Sequence, residues 1–126
     1  MLEKEQKTTC GEQLVALRDS LEILGGKWKL QILRYLTNRP DQVNQFKQIQ
    51  RGVGGISAKM LSKELKDLED NLLVTRLVQE TKPITVAYAV TDYGKSVFPV
   101  TNILVEWGLN HRNYLFKDAI SNKELK

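Results

Sequence analysis

The chain has a single cysteine and a single histidine in 126 residues. One cysteine forms no intramolecular disulfide. One cysteine and one histidine also fall short of a four-ligand zinc site or a cysteine–histidine metal cluster. The glycine cluster Gly52, Gly54 and Gly55 lacks the lysine that would follow it in a phosphate-cradling loop. With no nucleophile–base pair, metal set or cofactor loop, neither an enzyme nor a cofactor is expected. Long hydrophobic runs are missing too, and the first twenty residues carry charges throughout. A membrane span and a secretory signal are therefore not expected, and the expected compartment is the cytoplasm. A large charge excess is also absent. The formal net charge is +4, spread evenly over the two halves. That permits nucleic-acid binding without establishing it.

What is present is enough for a core: 41% of residues are hydrophobic and 27% charged. The length suits one domain, residues 1–126. Thr9 and Glu12 have capping-box spacing and open a first helix. Leu14, Leu17, Leu21 and Leu24 form its apolar stripe, and Gly25-Gly26 ends it. A second helix is expected over about 27–37, with Trp28, Ile32, Leu33 and Leu36 inward. Asn38–Asp41 reads as a turn. A short third helix follows at about 43–50, with Phe46 and Ile49 inward, and the glycines at 52–55 break it. Ser57 caps a fourth helix. At 100° per residue, Leu61, Leu65, Leu68 and Leu72 share one face, while Lys59, Lys63, Lys66 and Asp70 share the opposite one. Most of this helix's acids are expected to lie off the lysine row. The β-branched runs at 74–79 and 85–91, with Pro83 between them, read as a hairpin. Thr91 caps a last helix to about residue 116, which Pro99 should kink.

Three helices in close succession followed by a hairpin describe a winged helix-turn-helix, mainly α with a small β-hairpin. The leucines of the fourth helix would hold it to the core while its outer row meets the major groove of duplex DNA. Candidate DNA-binding residues on that helix are Ser57, Lys59, Met60, Ser62, Lys63 and Lys66. Lys47, Gln48 and Arg51 on the third helix, and Arg76 and Lys82 in the hairpin, are the flanking candidates for phosphate contact. A lysine row alone reads more often as a solvated helix face; its place between a glycine-rich turn and a hairpin shifts the reading toward DNA. Trp28 and Trp107 lie on apolar stripes and are assigned to core or interface, Tyr88 to the core, and His111 to the surface or a dimer interface. Leucine stripes at both ends exceed what one winged helix can bury. Pairing of the first and last helices across a two-fold axis would cover them and present two reading helices to a pseudo-palindromic site.

The ordered series Gly25-Gly26-Lys27-Trp28, Ile32-Leu33, Leu36, Phe46, Gly55-Ile56-Ser57, Lys59-Met60-Leu61, Leu65, Leu68-Glu69, Leu73-Val74, Arg76, Tyr88, Val90-Thr91, Gly94, Pro99 and Trp107 resembles the HxlR-type (MarR-like) bacterial transcription regulators over about residues 12–116. The resemblance implies a homodimeric, sequence-specific repressor or activator. Its dimerisation helices would span about 9–24 and 92–116 and its DNA-binding core about 27–91. The chain departs from the family in having Gln45 before Phe46, Asn71-Leu72 in place of an acidic residue and glycine, and no Pro-Pro pair in the wing. Several family members sense oxidants or electrophiles through a cysteine just before the first helix. That position is Val15 here, and Cys10 lies five residues upstream. Cys10 stands at a helix N-terminus near Lys7, where the dipole favours an anion. Its two readings are a redox-responsive thiol and a plain exposed thiol, and any disulfide it made would be intermolecular. The rival to a DNA-binding regulator is a winged-helix adaptor whose lysine row meets an acidic protein partner.

Overall fold

The computed structural model describes residues 7–39 and 43–124. The helices are α1 (Cys10–Leu24), α2 (Lys29–Thr37), α3 (Phe46–Val53), α4 (Ala58–Asp70), α5 (Asp92–Lys95) and α6 (Phe98–Glu124). The strands are β1 (Asn44–Gln45), β2 (Val74–Gln79) and β3 (Thr85–Val90), ordered β1-β3-β2 and antiparallel throughout. The expected architecture, mainly helical with a small hairpin, is the one observed. Pro40 and Asp41 of the expected turn lie outside the described residues.

The core sits where α2, α3 and α4 meet the base of the hairpin. Ile32, Leu33 and Leu36 from α2, Ile49 from α3, and Leu61, Leu65 and Leu68 from α4 are all buried there, with Val74 and Tyr88 from the sheet. Each fully buried aliphatic side chain contributes about 1.5–3 kcal/mol. Trp28 rests half-buried against this cluster.

Three details differ from the sequence reading. The third helix runs over 46–53 and not 43–50, because Asn44 and Gln45 are extended and pair with Tyr88 and Ala87. Asn44 is buried and accepts a hydrogen bond from Arg39 Nε, five residues upstream, at 2.9 Å. The helix passes through Gly52, and the turn into α4 is made by Gly54 and Gly55, both at φ +80°. The last helix is two helices, and Pro99 is the second residue of α6. There the first turn's amides have no intrahelical acceptor, so its missing N–H costs nothing and the expected kink is absent.

The break before α6 is built at Thr91. Its hydroxyl donates to the Leu72 carbonyl at 2.8 Å and accepts from the Gly94 N–H at 2.8 Å. Any Cβ at Gly94 would collide with the Leu73 carbonyl, so α5 can lie this close to the α4–β2 corner only with glycine there. α6 is then tied to α2 by Arg34, whose Nη1 donates to Thr101 Oγ1 at 2.9 Å and Asn102 Oδ1 at 2.7 Å. No helix among the described residues is long and apolar enough to cross a membrane.

At the end of α4 the left-handed residue is Leu72 (φ 65°), not Asn71, which the side-chain preference for that conformation would have favoured. Leu72 is also 71% exposed, so it gains little from burial. Replacing it with glycine should stabilise the fold by about 1 kcal/mol through relief of that conformation. The measurement is a higher denaturation midpoint in urea at unchanged slope.

Candidate nucleic-acid interface

Helix α4 begins with a Ser57 cap, its Oγ accepting the Met60 N–H at 3.1 Å. The inner arc is set by Leu61, Leu65 and Leu68, each with 0% exposure. The helix has no rotational freedom once these three are seated, and its remaining positions are placed by that fact. Lys59, Met60, Ser62, Lys63 and Lys66 all point to solvent. The expected fourth member of the leucine row, Leu72, lies beyond the helix end and is exposed.

The lysine row is less free than its spacing implies. Lys63 Nζ lies 3.3 Å from Asp67 Oδ2 and 3.6 Å from Glu64 Oε1, and Lys66 Nζ lies 2.8 Å from Asp70 Oδ1. Asp70, expected on the row, pairs with Lys66, and Asp67, expected off it, reaches back one helical turn to Lys63. Such exposed pairs contribute little to stability and are readily exchanged for other partners. Asp70 holds the Lys66 ammonium above the ordinary lysine range.

Lys47 and Arg51, on the exposed face of α3, line an open concavity of about 490 Å³ with Gln50, Gly54, Gly55 and Ile56, at the start of α4. Lys47 also borders a second concavity of about 390 Å³ between α3 and the wing, with Phe46, Pro83 and Thr85. The third helix, the glycine turn and the wing thus meet around Lys47. Gln48 is exposed but engaged, its Oε1 accepting the Gln45 N–H at 2.8 Å in a cap for α3. Lys82 is exposed in the turn of the hairpin, which Thr81 Oγ1 closes by donating to the Pro83 carbonyl at 2.7 Å. Arg76 is exposed lower on β2, opposite Tyr88. Cys10 is the first residue of α1 and carries a free, exposed thiol. Trp107 is 63% exposed and stacks on exposed His111, with ring centroids 4.8 Å apart.

Sequence reasoning missed the group beneath the lysine row. Lys29, on α2, is buried and donates to both carboxylate oxygens of buried Glu64 at 3.0 and 3.1 Å. It also lies 3.3 Å from Asp67 Oδ2. A signal was available: Lys29 is in phase with Ile32, Leu33 and Leu36, and Glu64 sits between Leu61 and Leu65, so opposite charges occupy the core arcs of two helices. Burial pushes the Lys29 ammonium down, but the hydrogen bonds and charges of Glu64 and Asp67 outweigh it and hold it above the ordinary range. Burial likewise pushes Asp67 up, and Lys63 and Lys29 outweigh it, holding the carboxyl below its ordinary range.

These directions fix a pH window. Lys29 contributes its full stabilisation below about pH 10 and loses it as the pH climbs through its folded value. Asp67 contributes fully above about pH 4 and loses its share as the pH falls. Thermal melts of the parent and Asp67→Asn should therefore differ most near neutrality, and the gap should narrow as the pH falls below about 4. A gap that stays constant from pH 7 to 3 would contradict the assignment.

Comparison with known proteins agrees with this geometry. The HxlR-like helix-turn-helix family matches residues 23–115. The HTH-type transcriptional regulator YtcD of Bacillus subtilis (strain 168) is 33% identical over 107 residues, covering 85% of this chain and 82% of YtcD. A crystal structure of an HTH-type transcriptional regulator ytcD superposes with a TM-score of 0.70 at 34% identity, over 77% of this chain and 96% of that one. The redox regulator HypR in its reduced form superposes with a TM-score of 0.70 at 29% identity, over 79% of this chain and 96% of HypR.

Proposed function

The chain belongs to the HxlR-like helix-turn-helix family of transcriptional regulators, and from that premise we propose that it acts as a homodimer that reads a pseudo-palindromic site in duplex DNA. The observation that carries this reading is the division of α4: its leucines are fully buried, and Lys59, Met60, Ser62, Lys63 and Lys66 face solvent between a glycine turn and a wing. An α-helix fits the major groove, where lysine can contact guanine or phosphate, serine a base or phosphate, and the Met60 side chain a thymine methyl. Lys47, Arg51 and Lys82 flank that helix and would meet phosphates on either side, with Arg76 and Gln48 further out.

Dimerisation has its own support. α1 has fifteen residues and buries none of them, although Leu14, Leu17 and Leu21 are apolar. An isolated helix of that length is marginal in water. α6 likewise leaves Ile103, Trp107 and Phe116 exposed. Exposed apolar stripes on two helices support an interface with a second copy. A second copy covering it would hold two α4 helices in fixed relation, the arrangement that converts weak half-site contacts into specific binding.

Duplexes selected from a random-sequence pool should bind with a steep salt dependence. With about 6–10 phosphates contacted, affinity should fall by about 10³–10⁵ between 50 and 200 mM salt. Lys63→Glu should abolish that binding and leave the circular dichroism spectrum unchanged. If no duplex is enriched over random sequence, the lysine row serves an acidic protein partner instead. In a second test, Leu17→Glu/Leu21→Glu should convert the protein from dimer to monomer by light scattering and weaken duplex binding at least tenfold; a parent protein that is already monomeric would refute the dimer.

A further inference from the structure

The geometry points to Lys29 as a positioning residue for DNA binding: its buried ammonium stays paired with the two α4 acids Glu64 and Asp67, so that Lys63 can leave them for a phosphate. This rests on the reading above, in which Lys63 touches the duplex.

Four charges are arranged around one point. Asp67 Oδ2 lies 3.3 Å from both ammonium groups, and Glu64 Oε1 lies 3.0 Å from Lys29 and 3.6 Å from Lys63. Two carboxylates therefore face two ammonium groups, and the pairs are unlike in access. The side chains of Lys29 and Glu64 are 11% and 6% exposed, while that of Lys63 is 64% exposed. Lys29 is fixed between α2 and α4; Lys63 is free to swing outward.

When Lys63 turns to a phosphate, Lys29 still faces both carboxylates. Without Lys29, the same two acids have Lys63 alone. Glu64 is shielded from water, so its charge finds no other compensation, and a buried unpaired charge is costly. Lys63 is then drawn onto the protein, and an approaching phosphate meets two acids that share that one lysine. Lys29 touches no DNA in this arrangement; it acts through Glu64 and Asp67.

The test uses a duplex of about 40 base pairs selected from a random pool with the parent protein, and reads the slope of log affinity against log salt. Lys63→Gln removes one phosphate contact per protomer and should lower the slope by about 1.8 per dimer. An unchanged slope in this variant refutes the DNA role of Lys63 itself, separately from the inference about Lys29. Lys29→Gln should lower the slope by the same amount as Lys63→Gln, and the combined variant no further. A folded Lys29→Gln protein with the parent slope would overturn the inference and leave Lys29 as a fold-stabilising residue only. Lys29→Gln/Glu64→Gln restores one acid for one lysine and should recover the parent slope and affinity within about twofold. Should Lys29→Gln fail to fold, this double variant decides alone: the parent slope supports the inference, and a slope lowered as in Lys63→Gln overturns it.

Discussion

Leu61, Leu65 and Leu68 are sealed from solvent, and the outward placing of Lys59, Met60, Ser62, Lys63 and Lys66 on α4 follows from their burial. They share one buried cluster with residues of α2, α3 and the hairpin base, and that cluster anchors the helix. A leucine stripe of this kind constrains a helix more tightly than a capping bond does. Ser57 fixes where the helix starts, and the leucines fix how it is turned about its axis. The glycine pair at 54–55 then lets the chain enter α4 without moving it off the core.

A core this small does not account for the whole chain. α1 and most of α6 contribute apolar residues that the DNA-binding core leaves uncovered, and α6 is attached to that core near its start through Arg34, Thr101 and Asn102. Attachment at one end and an apolar length beyond it suit a helix whose remaining partner lies outside the chain. The proposed dimer therefore depends on surface that the monomer fold has no means to bury, and the tie at Arg34 would couple the position of α6 to that of α2.

Charge is organised in depth as well as along the surface. The exposed row of α4 carries lysines paired with acids one turn away, and under it lies the Lys29–Glu64 pair, desolvated and linked to the row through Asp67. Exposed pairs exchange partners at small cost, whereas a buried pair holds its geometry because either charge alone would be stranded. In the proposed complex the two layers divide the work: the row is available to phosphate, and Lys29 stays with Glu64 and Asp67 while the row is engaged.

Much of this was legible in residue order. The Thr9–Glu12 box, the Ser57 cap, the leucine period of α4 and the β-branched runs are local signals, and each produces its element because neighbours in sequence are neighbours in space. The exposed residues of α4 follow from the same periodicity. What only tertiary structure decided involves partners far apart in the chain. Asn44 is extended because β3 pairs with it, Leu72 is left-handed because the α4–β2 corner must close onto Thr91, and Glu64 is buried because Lys29 arrives from α2. In each case a polar group or a strained backbone is satisfied by a partner that local pattern does not contain, and the compensation exists only once the elements are packed together.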